Sequence, residues 1–240
     1  MNYKLWAVSA AAVVALGLAA SPAAAGILSI TPLTGDAIPL GETLITDFNS
    51  TGGEANPHGK GGAINDLASG FHFSQGSGAY TADGFYGLES GVSAPPPLDD
   101  QDYFSVPLGA YYETVLGGGS ATLTSDKGLK QFSFYMGSPD SYNHLKFTFY
   151  GVHGGVSTLD GTAIWGGSPA GNGDQSFGTT VVYKFGPEAV KKITFSSDTN
   201  SFEFDKLGGI AVPEPATWGM MVLGFGMAGT LMRGRRRALA

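Results

Sequence analysis

Apolar residues fall on every second position in several stretches of this chain. In Leu129–Met136, Phe132, Phe134 and Met136 do so. In His144–Tyr150, Leu145, Phe147 and Phe149 do so. A period of two puts those side chains on one face of an extended strand. Thr179–Phe185, Val190–Phe195 and Ser201–Phe204 read the same way, and Thr43–Phe48, Phe71–Phe73, Tyr111–Leu116, Ala121–Thr124 and Thr162–Trp165 are further candidates. Clusters of Gly, Asn, Asp, Ser and Pro separate them, as turns require. No stretch between Gly26 and Val212 shows a helical period. The chain therefore predicts an all-β domain, an antiparallel β-sandwich or jelly roll. A hairpin is expected over Lys130–Gly151, turning at Gly137–Asn143.

Composition supports packed strands over disorder. The chain holds 38 glycines and 15 phenylalanines, with 14% charged residues. Disordered chains lack aromatics and carry more charge. There is no cysteine, which excludes disulfides and thiolate metal sites. Between Gly26 and Val212 stand 19 acidic residues, eight lysines and no arginine. Such an acidic domain argues against a nucleic-acid partner, whose phosphates need a basic footprint.

The two ends differ from the middle. Lys4 precedes an apolar run from Leu5 to Ala20, Ser21-Pro22 breaks it, and Ala23-Ala24-Ala25 follows. This is the pattern of a secretory signal peptide over residues 1–25, cut after Ala25 so that Gly26 begins the mature chain. Ala23 and Ala25 are the small residues that the signal peptidase pocket requires. At the other end, Ala216–Met232 is free of charge and makes a helix of about 26 Å. That length is at the short end of what spans a bilayer. Arg233, Arg235, Arg236 and Arg237 follow as a membrane stop, and Trp218 stands where an interfacial aromatic would stand. Pro213 and Pro215 flank Glu214, and each holds its predecessor extended. The organisation expected is a signal peptide (1–25), an ectodomain (26–212) and a tail (213–240), with a transmembrane helix over about 216–232.

The tail resembles the PEP-CTERM sorting signal of Gram-negative bacteria, in the variant with Trp three residues after the motif. Pro213, Glu214, Pro215 and Trp218 carry the resemblance, with the Met- and Gly-rich apolar run and the arginine cluster behind them. It departs at Gly219, where Ala is usual, and at Gly234, which interrupts the arginines. The resemblance implies recognition by an exosortase, a membrane cysteine protease, and an association with exopolysaccharide and surface or matrix material. It implies export through the inner membrane and transient anchoring there. The Gly137–Asn143 turn with its flanking strands, and Phe202–Asp205 leading into the tail, are also similar to the middle of exosortase-dependent surface proteins.

Catalytic patterns are missing from the middle. His58, His72, His144 and His153 have no ligand-like spacing, and there is no nucleophile elbow or phosphate loop. No enzyme activity is expected. Asp99, Asp100 and Asp102 form an acidic grouping of the kind calcium takes, and Asp140, Asn143, Asp198 and Asp205 are other oxygen donors at turns or strand ends. Trp165 and Tyr142, with Tyr111 and Tyr112, are candidate aromatic surfaces for a sugar ring. The expectation is a structural or adhesive surface protein. Its alternative is a lectin-like carbohydrate-binding module held by calcium.

Overall fold

The computed structural model describes residues 26–49, 64, 66–75, 80–82, 95–97, 103–106, 119–137, 140–150, 154–166, 174, 176–199, 201–213, 219–225 and 227. Among these residues eleven strands follow one another: β1 (Ile27–Thr34), β2 (Thr43–Thr46), β3 (Phe71–Gln75), β4 (Tyr80–Ala82), β5 (Tyr103–Val106), β6 (Ser120–Met136), β7 (Asn143–Phe149), β8 (Val156–Asp160), β9 (Thr179–Phe185), β10 (Val190–Ser197) and β11 (Phe202–Ala211). All the ladders between them are antiparallel, and together they form a single sheet.

That sheet curls because β6 bends. Its first half, up to Ser125, pairs with β3 on one side and β10 on the other. Its second half, from Leu129, pairs with β11 and β9. Between the halves, Ser125-Asp126-Lys127-Gly128 turns a corner. Gly128 has φ +78, a conformation that glycine adopts without strain, and its N–H donates to Ser125 Oγ at 3.0 Å. The link from β9 to β10 turns at the same corner. Lys130 Nζ donates there to the carbonyls of Gly186 and Pro187.

The bend lays two halves of the sheet over one core. One half carries β3, β10, β7 and β8 beside the start of β6. The other carries β11, β9, β1, β2, β5 and β4 beside its end. Phe195 of β10 stacks on Phe204 of β11 with ring centroids 4.1 Å apart. It meets Phe134 of β6 edge-on at 5.5 Å. Phe147 of β7 packs on Tyr183 of β9 at 4.9 Å. These contacts cross between the halves. Rings in offset or edge geometry gain contact energy beyond area burial.

Three sequence expectations change. The Lys130–Gly151 hairpin does not form, because β10 lies between β6 and β7. Ile193 of β10 pairs with Leu123 of β6 on one side and Phe147 of β7 on the other. Alternation reveals a strand's face and says nothing of its neighbour. Thr162–Trp165 is no strand: Gly161–Ile164 is a 3-10 turn. Gly161 sits at φ +50 against Ser141, which turns the chain as β8 ends. Ile164 is then locked inside, where its carbonyl accepts the Tyr183 hydroxyl. Finally, Ala121–Thr124 and Leu129–Met136 belong to one strand.

The outward side of β11 is also buried. Phe202, Phe204 and Leu207 belong to the core, while Glu203 and Asp205 alternate with the two phenylalanines and are equally enclosed. Ser105 pairs with Glu203, and Tyr135 pairs with Asp205. Pro96 and Pro97 cover part of this side, where the Tyr135 hydroxyl donates to the Pro97 carbonyl. The stretch after β1 is tied on similarly. Lys206 bonds Asp36, and that hydrogen bond holds the Asp36 carboxyl below its usual range. Glu42 accepts from Gln131 and Ser133; burial raises its pKa and these bonds oppose the rise.

Candidate functional site

The domain releases its C-terminal tail at the corner end. Ala211 pairs with Leu129, and the Val212 N–H donates to the Gly128 carbonyl at 2.9 Å. Pro213 follows, exposed, and has no N–H to continue the ladder. The end of pairing is thus written into the sequence at the residue where the Pro213-Glu214-Pro215 strip begins. Glu214, Pro215, Trp218 and Arg233 to Arg237 lie outside the described residues, as do Ala23 and Ala25. Gly26 is described, and its carbonyl accepts the Gly186 N–H at 3.0 Å at the same corner. Residues 219–225 are helical, with Met220, Val222 and Phe225 at least 70% exposed. Among the described residues no helix is long and apolar enough to cross a membrane.

The opposite end gathers polar groups. His144, near the start of β7, holds Asp160 through Nδ1 at 2.6 Å and Asp198 through Nε2 at 2.9 Å. The three residues come from β7, the end of β8 and the turn after β10. With both ring nitrogens facing carboxylates, the ring serves best as a doubly donating cation. Partial burial pulls its pKa down, but the bonds to Asp160 and Asp198 outweigh burial and the net shift is upward. A raised histidine pKa stabilises the fold fully below the unfolded value, 6.5. That contribution is lost as pH rises through the folded value. The melting temperature should therefore fall as pH is raised from 6 through neutrality, and His144→Gln should flatten that part of the profile. Parallel profiles for the two proteins would refute it.

Beside His144, the Asp198 N–H donates to the Tyr142 carbonyl at 3.0 Å. Tyr142 is half-buried, and burial first, then the Asp140 carboxylate, raises its hydroxyl pKa. Asp140 and Asn143 are fully buried, and Asn143 Oδ1 accepts from Ser197 Oγ at 3.0 Å. Thus Asp140, Asn143 and Asp198 share one end, with Asp198 alone exposed, while Asp205 is enclosed under the outer side of β11. Among the described residues no group of three or more His, Asp or Glu is arranged to hold a metal ion. Asp99, Asp100 and Asp102, with Tyr111 and Tyr112, lie outside them. Trp165 is 3% exposed and packs on Phe177 at 5.3 Å, so it offers no open face to a sugar. The His144 bridge was not foreseen. Asp160 and Asp198 lie 16 and 54 residues from it, and only the order of β10, β7 and β8 brings them together.

Residues 211–237 match the PEP-CTERM protein-sorting motif. No curated protein matches the chain. Among solved structures, the K2 cleaved adhesin domain of Lys-gingipain is similar at 14% identity and TM-score 0.41, over 70% of this chain and 99% of that one. A family 11 carbohydrate-binding module from Clostridium thermocellum, solved with a β-1,3-1,4-mixed-linked tetrasaccharide, is similar at 16% identity and TM-score 0.31, over 74% and 99%. The enzymatically active domain of bacteriophage CBA120 tailspike protein 4 is similar at 17% identity and TM-score 0.34, with 22% of its length covered. At these TM-scores none of the three bears on function.

Proposed function

We propose that this chain, a carrier of the PEP-CTERM sorting motif, is exported, anchored by its tail and processed by an exosortase. Its β domain then serves as a structural or adhesive part of the cell surface or matrix, in association with exopolysaccharide. No catalytic step is assigned to it. The observation that supports this best is the hand-over at Val212–Pro213. The ladder ends one residue before the motif, and the motif's first residue, Pro213, is exposed to a membrane protease.

The test is expression of the tagged full chain with and without the host's exosortase. Pro213→Ala combined with Glu214→Ala should leave a longer, membrane-retained species even when the enzyme is present. Identical size and location in all three cases would remove the reading.

Glycan recognition is the second reading, and it rests on the rim where Tyr142, Asp160 and Asp198 meet. A glycan array probed with calcium and with chelator tests it. A specific signal lost in Tyr142→Ala supports it, and a blank array under both conditions removes it.

A further inference from the structure

The domain is acidic, yet its lysines are not spread evenly. Five of the eight between Gly26 and Val212 stand at the corner end: Lys127, Lys130, Lys184, Lys191 and Lys192. Lys127 lies in the β6 bend, beside the Gly128 carbonyl that holds Val212. Lys184 is one residue from the end of β9 and pairs with Gln131, whose other partner is Ile210 of β11. Lys191 and Lys192 open β10, with Lys191 Nζ 5.3 Å from the centroid of the Tyr150 ring. Lys127, Lys184, Lys191 and Lys192 are all exposed. The described acidic groups at this end are Asp126, exposed and bonded to His72 at 3.0 Å, the half-buried Glu188, and Glu42, half-buried and held by Gln131 and Ser133. The far end carries Asp140, Asp160, Asp198 and Glu203. Among the described residues, the fold thus gathers lysines at the corner end and carboxylates at the far end.

The basic end is also the tethered end. From Val212, the last residue bonded to the sheet, to Ala216, where the charge-free run begins, the chain advances four residues. Fully extended they reach at most about 14 Å. Headgroup charge is felt over a Debye length of about 10 Å at 0.1 M salt. We propose that this lysine-bearing corner is a docking surface for anionic phospholipid headgroups, which stands the domain upright on the bilayer with its acidic end outward. The inference rests on the tail-anchored reading above, because the tether brings the corner to the membrane. Juxtamembrane lysines gain attraction from an anionic surface, while acidic groups at the far end are repelled.

The experiment uses the full chain inserted by its tail into lipid nanodiscs. The chain has no cysteine, so Pro187→Cys labels the corner and Ala163→Cys the far end, each alone. Energy transfer to a headgroup dye is measured on discs of phosphatidylcholine, with and without phosphatidylglycerol. Anionic lipid should raise transfer at position 187 and lower it at position 163, and high salt should abolish both changes. Lys184→Gln, Lys191→Gln and Lys192→Gln together should lower the docked-to-undocked ratio by roughly a hundredfold.

Equal transfer on the two lipids overturns the proposal, as does a lipid effect that survives high salt or the triple variant. The salt titration decides the matter with the native lysines if the triple variant folds poorly. A soluble anionic polysaccharide that binds the corner more tightly than the discs do also overturns it. Chain lost from both kinds of disc removes the anchoring reading, and this inference with it. Chain retained with equal transfer removes this inference alone.

Discussion

Phe195→Ala is expected to destabilise the domain by about 3–5 kcal/mol, a large part of the roughly 5–15 kcal/mol that holds such a fold. Phe195 is fully buried and sits where the two halves of the sheet meet. It stacks on Phe204 of β11 and meets Phe134 of β6 edge-on. It also lies 5.8 Å from Phe202. Removing it opens a cavity walled by strands that belong to one continuous sheet, so the walls move in only partly. Phe149 makes the contrast. It is 5% exposed at the corner end of β7, and the described ring beside it is Phe185 at 6.0 Å. Phe149→Leu keeps most of the volume and should cost no more than about 1.5 kcal/mol. Urea unfolding of both variants checks this. With a slope of about 2 kcal/mol per molar, the first should shift the midpoint by roughly 2 M and the second by well under 1 M. Equal shifts would mean that the core is not shared between the halves.

Gly128→Val should cost about 2–5 kcal/mol and should loosen the start of the tail. Two effects add. The residue sits at φ +78, where a β-branched side chain is strained by roughly 1–2 kcal/mol. A Cβ there would stand 2.8 Å from the Tyr150 ring and 2.9 Å from the Ala189 Cβ, which adds about 1–3 kcal/mol of overpacking. The Tyr150 ring cannot yield freely, because its hydroxyl donates to the carbonyls of Ser125 and Asp126. The Gly128 carbonyl holds the Val212 amide, so hydrogen exchange at Val212 should quicken beyond what global stability explains. Gly41→Ala is the control. Gly41 also has positive φ, at +90, but its Cβ would meet nothing within 4 Å. Its cost should stay near the backbone term, about 1 kcal/mol. If Gly128→Val melts no lower than Gly41→Ala, the close packing at the bend is not what fixes it.

How much of this was legible depended on the kind of information a residue carries. The faces of β7 were plain, because Lys146 is exposed between the buried Leu145 and Phe147. The end of β6 was less plain: Ser133 and Tyr135 are as buried as Phe132 and Phe134, which alternate with them, since loops cover the outer side. β5 was missed for the same reason, being four residues buried on both faces with no alternation to read. Ser125-Asp126-Lys127-Gly128 has turn composition, which split one bent strand into two expectations. The tail motif was fully legible because its chemistry is local. The basic corner and the His144 bridge were not, because each joins residues from three or more segments whose meeting only the strand order determines.

β11 is the last strand of the domain in the chain and among the most central in the sheet, with β6 on one side and β2 and β5 on the other. A polypeptide is made and threaded across a membrane from its N-terminus. Until Phe202–Ala211 arrives, the partner edge of β6 is open and Phe195 lacks the ring on which it stacks. On the proposed export route, closure of the core is therefore timed to the moment when the apolar tail enters the same passage. A molecule truncated before Phe202 would lack both the sorting motif and the strand that completes the core.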